Sequence, residues 1–204
     1  MTNIYSPSPD KQLSAHFFRT QIDGLLYFIA PKHHDERGYF SEMVLLPELE
    51  QLTLKPFTFK QANIVRSNLH VVRGLHAEGW NKLVTVISGK AFCALADLRK
   101  DSPQYLHVET FQLGFDHQPD QGSGLYIPQG IANSVCVLEA PLTYLYLVDK
   151  LYSDRSKIDE LSISLHDPQL NIEWPLERDQ MIISKRDREA LTLKQFEQTL
   201  QKQS

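Results

Sequence analysis

Between Val71 and Val84 the chain reads VVRGLHAEGWNKLV, which places a guanidinium (Arg73), an imidazole (His76) and an ammonium (Lys82) within ten residues. An imidazole can take a proton near neutrality, an ammonium can shelter the negative charge left behind, and a guanidinium suits phosphate. Apolar pairs on either side, Val71-Val72 and Leu83-Val84, suggest two strand pieces joined by a short glycine-containing bend. That arrangement lets all three polar groups point at one cavity. Taken alone, the stretch equally fits a satisfied strand histidine, a solvated lysine and an arginine in a structural ion pair.

The elements around it read as short strands separated by turn signals. Residues 1–14 form a polar, Pro/Ser-containing tail, expected to be loose, and 15–204 read as a single domain. GLLYFIAP (24–31) is strand, HHDERGYFSEM is a turn leading into an alternating segment, and Leu45–Leu54 has room for one short helix. In KLVTVISGKAFCALADLR (82–99), two apolar runs divided by Ser88-Gly89 give a hairpin signal. GLYIPQGIANSVCVLEAPLTYLYLVDKLY reads as three strands and two turns, and Trp174 is expected to plug a core edge. Helical spacing returns at the C-terminus through Leu191, Phe196 and Leu200. Many strands and one terminal helix point to an all-β sandwich or jelly roll.

Composition narrows the functions. The 204 residues carry 42% hydrophobic and 23% charged side chains, an ordinary globular balance. A net charge of −4 argues against a general nucleic-acid binder, which needs a basic excess. No apolar run is long enough to span a bilayer, and MTNIYSPSPDKQ lacks the layout of a signal peptide. Cys93 and Cys136 both sit in apolar runs and read as buried thiols, so a cytoplasmic location is expected.

GSGLYIPQGIAN (122–133) resembles the second cupin motif through Gly122, Pro128 and Gly130, with Asn133 where a metal-binding histidine normally stands. The first cupin motif is reduced to His76, Ala77 and Glu78, so too few ligands remain and no metal is expected. More specifically, the chain resembles the dTDP-4-dehydrorhamnose 3,5-epimerase family, metal-free cupins acting on 4-keto-6-deoxy sugar nucleotides. The matching pieces run in family order over about residues 20–190. They are DERGYFSE (35–42), QAN (61–63), VVRGLH (71–76), KLV (82–84), ADLRKDSP (96–103), YIPQGIAN (126–133), Tyr146 with Tyr152, DPQLNIEWP (167–175) and SKRD (184–187).

The resemblance implies a cupin double-stranded β-helix jelly roll with a short C-terminal helix and no cofactor. It implies that His76 is the general base, Asp187 its orienting carboxylate, Lys82 the stabiliser of an enolate oxygen and Tyr146 the acid on the opposite face. Arg73, Asn133 and Arg186 would contact substrate, Tyr152 would pack on the nucleotide, and Gln61 and Asn63 would line the cavity. Arg37 and Glu42 match residues lent by a neighbouring subunit, which implies a homodimer. The residues themselves leave two points open. Tyr144 and Tyr146 share a face by the two-residue period, so one of them can be packing only. Asp187, near a helix start, fits a cap as well as a histidine partner.

The chain also departs from the pattern. Asn133 replaces the usual histidine, Glu78 the common glutamine, and the segment from His76 to Lys82 is shorter than usual. Ile64 and Val65 stand where polar residues are common, and His33 where an aromatic is. A carboxylate at position 78 would repel an enolate or diphosphate unless it turned outward. These changes imply an altered sugar or nucleotide, or inversion at one carbon instead of two.

Overall fold

In the computed structural model, residues 3–115, 119–154 and 161–201 are described. Their strands are β1 (Phe17–Arg19), β2 (Leu26–Asp35), β3 (Gly38–Ser41), β4 (Gln61–Ser67), β5 (Val72–Ala77), β6 (Lys82–Asp97), β7 (Val108–Leu113), β8 (Gln121–Ile127), β9 (Ile131–Val148) and β10 (Leu161–Ser162). The helices are α1 (Leu46–Thr53), α2 (Lys185–Arg188) and α3 (Leu193–Gln201). All strand pairings are antiparallel.

Two long strands, β6 and β9, build the jelly roll by belonging to both of its layers. The first half of β6 pairs with β8 and with the second half of β9, to which β4 adds on the far side. β2, with β1 and β3, continues this layer beyond β8. The second half of β6 pairs with β7 and with the first half of β9, followed by β5 and β10. The pairing of β6 with β9 slips in register between Val86 and Ala91, where the strand pair bends from one layer to the other. Ser88-Gly89 is therefore a corner inside a continuous strand and not the hairpin turn that the sequence suggested. Gly89 is needed there: its φ is +79°, and an added Cβ would meet the Glu139 carbonyl oxygen at 2.5 Å. Likewise the second turn expected in this stretch is a corner of the continuous β9, whereas Pro128–Gly130 does separate β8 from β9.

Alternate residues of the long strands feed different cores, which explains their unbroken apolar runs. Ala91, Cys93 and Leu95 point between the layers with Phe111, Leu125 and Val137. Phe92, Ala94 and Ala96 point outward, into a second core closed by Ile163, Leu165, Leu170 and Leu193 from the C-terminal segment. Trp174 packs on this outer core, edge-on to Phe92 at 5.8 Å, and donates Nε1–H to the Leu165 carbonyl at 2.8 Å. A third cluster (Phe17, Phe28, Leu83, Tyr126) is covered by Leu49 of α1. Cys93 and Cys136 are free, buried thiols in different clusters.

Residues 3–14, expected to be loose, lie against the sandwich. Ile4 bridges to Thr110, and the Tyr5 ring packs on Tyr27 and Phe111, both at 5.1 Å. The Tyr5 ring and hydrogen bonds such as Tyr5 N–H to the Thr110 carbonyl at 2.7 Å hold the polar arm in place. At the other end, α3 begins after Leu191, which instead bridges to Ile163. Phe196 is half-buried, while the Leu200 side chain lies outside the described residues. No helix among the described residues is long and apolar enough to cross a membrane.

Candidate active site

Between the layers, at one open end, lies a cavity of about 270 Å³. Arg73 and His76 of β5, Lys82 of β6, Asn133, Tyr144 and Tyr146 of β9, Tyr152, and Arg186 and Asp187 of α2 all face it. Val65, Val135 and Leu142 supply apolar wall.

The position of His76 depends on an irregularity. Arg73 and His76 are three apart, so in a regular strand they would face opposite sides. The partners are Arg73↔Val135 and His76↔Asn133, which shifts the register by one residue between them. That bulge turns both side chains inward, while Val72 and Leu75 stay in the outer core. Gly74 occupies the bulge with φ +127°, and a Cβ there would lie 2.7 Å from Ser134 Cβ and 2.8 Å from the Asn133 carbonyl oxygen. Only glycine fits.

His76 Nε2 lies 2.7 Å from Asp187 Oδ1, and the carboxylate side chain is 4% exposed. Burial by itself would raise the Asp187 carboxyl. The bond and attraction to His76, with hydrogen bonds from Ser184 and the Gly74 amide, outweigh burial and hold it below the usual carboxylate range. An ionised carboxylate only accepts, so Nε2 carries the hydrogen, and in the neutral ring the lone pair falls on Nδ1. The cap question is settled by Ser184, whose Oγ accepts the Asp187 amide at 3.1 Å, leaving the Asp187 side chain for the histidine.

Lys82 is buried, its side chain 7% exposed, and it donates to Asn133 Oδ1 at 2.6 Å. Its ammonium also contacts the Glu78 carboxylate directly. Glu78 thus turns inward, the case in which repulsion was expected, and is tolerated by pairing with Lys82. Position 78 continues the β5 face two residues beyond His76, and that spacing was the available signal for its place in the cavity.

Across the cavity, the Tyr144 and Tyr146 rings are 5.9 Å apart. Tyr144 is buried in the inter-layer core, whereas Tyr146 is only partly buried and opens to the cavity. Burial pushes the Tyr146 hydroxyl up, Glu78 and Tyr152 add to this, and Arg73 opposes it, so the phenol is protonated at neutral pH. Arg73 Nε donates to Ser67 Oγ at 3.1 Å, fixing the guanidinium against the wall. Ser67, Glu78 and Ser184 complete the site and were not singled out as site residues from sequence.

Four expected residues do not line the cavity. Gln61 and Asn63 share the β4 face of Val65 and Ser67 but lie farther along it, joined by a 2.6 Å hydrogen bond. Gln61 Oε1 accepts the Tyr152 amide at 2.8 Å, so its contact with the site is indirect. Arg37 caps the β2–β3 hairpin in an exposed pair with Asp35, and Glu42 is exposed just beyond β3. A single copy of the chain leaves both away from the cavity. Among the described residues no group of three or more His, Cys, Asp or Glu is placed to hold a metal ion.

Comparison with known proteins gives concordant matches. The family model described as dTDP-4-dehydrorhamnose 3,5-epimerase matches residues 19–195. The "Protein RmlC homolog" of Streptococcus pyogenes is 33% identical over 170 residues, covering 81% of this chain and 82% of that protein. The dTDP-4-dehydrorhamnose 3,5-epimerase of Shigella flexneri is 31% identical, covering 78% and 86%. Among solved structures, the dTDP-6-deoxy-D-glucose-3,5-epimerase of Legionella pneumophila in complex with dTDP-4-keto-L-rhamnose matches with a TM-score of 0.79. Its identity is 32%, over 90% of this chain and 95% of that one.

Proposed function

The chain belongs to the dTDP-4-dehydrorhamnose 3,5-epimerase family, and on that premise we propose that its cavity epimerises a dTDP-4-keto-6-deoxyhexose in deoxysugar biosynthesis. The observation that carries the mechanism is the convergence of the His76–Asp187 pair, Lys82 and Tyr146 on one cavity.

Hydrogens on the carbons flanking a C4 ketone are weakly acidic because their loss gives an enolate. His76 Nδ1 takes such a proton while Nε2–H stays bonded to Asp187, which supports the imidazolium that forms. The electron pair of the C–H bond moves toward the C4 oxygen, where the Lys82 ammonium meets the charge; one donor of this kind contributes about 3–4 kcal/mol. The Tyr146 hydroxyl then gives its proton to the opposite face of the carbon, inverting it. The tyrosinate and imidazolium exchange protons with solvent to reset the site. No redox change occurs, so the reaction itself calls for no cofactor. Arg73 and Arg186 suit the diphosphate, and Tyr152, 54% exposed at the rim, offers a face to the base.

Arg37 and Glu42 act in the cavity of a partner subunit, as part of a homodimer. The exposure of Tyr39 (46%) and Phe40 (65%) on the same hairpin supports a surface that a second copy covers. Two unpaired buried thiols suit a reducing compartment, and we place the enzyme in the cytoplasm.

Incubation in deuterium oxide with dTDP-4-keto-6-deoxyglucose tests the reading. Label at C3, C5 or both, with inverted configuration by NMR and loss of exchange in His76→Ala, is the expected result. Retained stereocentres with a displaced carbonyl would identify a ketoisomerase instead, and binding without exchange a non-catalytic sugar-nucleotide cupin.

A further inference from the structure

The mechanism leaves Glu78 unexplained. Its carboxylate is 14% exposed, lines the cavity and touches the ammonium that must meet the enolate. A fixed negative charge there opposes the developing one, because a carboxylate a few ångströms from the C4 oxygen cancels much of the field of Lys82. For a neutral sugar this is a handicap. It becomes useful when the ligand brings its own cation to the carboxylate.

We propose that this site is built for a 4-keto-6-deoxyhexose carrying a protonated amino group at C3, which takes Glu78 from Lys82 and so frees the ammonium for the C4 oxygen. The proposal rests on the epimerase reading and names its substrate class. Position follows from connectivity: if Lys82 meets the C4 oxygen, a carboxylate in contact with Lys82 lies over the substituent of an adjacent carbon. C5 bears only the methyl group and the ring oxygen, neither of which can carry a positive charge, whereas C3 bears an exocyclic heteroatom substituent that can. Charge decides between an ammonium and a hydroxyl at that place. Exchanging Lys82 for a hydroxyl leaves the carboxylate uncompensated beside the enolate, but exchanging it for an ammonium keeps it neutralised. Asn133 supports the exchange: its Oδ1 holds Lys82 at 2.6 Å without adding charge, so the ammonium has a second tether when Glu78 changes partner. The cavity holds two carboxylates, Glu78 and Asp187. With Asp187 committed to His76, Glu78 is the carboxylate left for a ligand cation. The reaction on such a sugar is proton exchange and inversion at C5.

The test compares dTDP-3-amino-3,6-dideoxy-4-ketoglucose with dTDP-4-keto-6-deoxyglucose in wild type and Glu78→Gln, reading deuterium incorporation at C5 and kcat/KM. Wild type should favour the amino sugar by at least about tenfold. Glu78→Gln, which keeps an acceptor oxygen for Lys82, should speed the neutral sugar and slow the amino sugar, reversing the preference. A purely structural role would change both substrates by the same factor. Equal use of the two sugars by wild type, or an unchanged ratio in the variant, overturns the proposal while leaving the epimerase reading intact. Absence of exchange at both C3 and C5 with either sugar sinks that reading as well.

Discussion

Replacing Asp187 by Asn probes the arrangement that the chemistry depends on most. The 2.7 Å bond between His76 Nε2 and Asp187 Oδ1 puts the centres of imidazolium and carboxylate about 4 Å apart; at an effective dielectric of about 20 they attract by about 4 kcal/mol. With the carboxylate side chain 4% exposed, solvent screens little of this. In a transition state with the proton half transferred, about half of that attraction is felt, roughly 2 kcal/mol or about 30-fold in rate. The amide adds a second penalty, because its NH2 group can face Nε2, forcing the hydrogen onto Nδ1 where the base must be bare. Asp187→Asn should therefore lower kcat by about 10²- to 10³-fold, with KM within about threefold because the carboxylate touches His76 rather than substrate. Deuterium incorporation into a 4-keto-6-deoxyhexose nucleotide, followed by NMR, measures the rate. Since Asp187 also accepts the Gly74 amide, thermal melts must first show the variant folded. A folded variant retaining more than about a third of wild-type kcat would refute the assignment of Asp187 to His76 and the base role with it.

Tyr146→Phe should keep exchange from the His76 face while losing most inversion, seen as label incorporated with retained configuration. Gly74→Ala should lower stability by more than about 3 kcal/mol, measured by denaturant titration, because a Cβ would overlap Ser134 and Asn133 at positive φ. Glu109, 7% exposed, offers a pH test: burial raises its carboxyl, outweighing the Gln21 amide and its other partners. The folded chain then binds this proton more tightly than the unfolded one, so that stability is fully present below about pH 4.3 and lost as pH rises through the folded value. Glu109→Gln should raise Tm at pH 7 and leave it nearly unchanged at pH 4.

Apolar periodicity carried much of the architecture, because strands buried on both faces leave solid runs such as KLVTVI and AFCALA. It could not distinguish a corner from a hairpin at Ser88-Gly89, since both need a glycine and only pairing with β9 tells them apart. His76, Lys82 and Arg73 were visible as a cluster, yet the bulge that turns two of them to one side depends on the register with β9. Which way Glu78 turns was not legible, because the sequence shows a charge without its partner. Arg37 and Glu42 stand apart from the cavity of their own chain, and the roles expected of them would need a second copy, which a single sequence does not display.

β9 carries Asn133 in the half that pairs with β5 and Tyr146 in the half that pairs with β4, with a corner near Glu139–Leu142 between them. On the proposed mechanism the two sides of the sugar ring would be addressed by opposite arms of one lever. Repacking around that fulcrum would rotate the arms against each other while touching the wall of the chamber only at Leu142. Laboratory evolution toward a different stereochemical outcome should accordingly find useful changes at the elbow as well as beside the carbon being inverted.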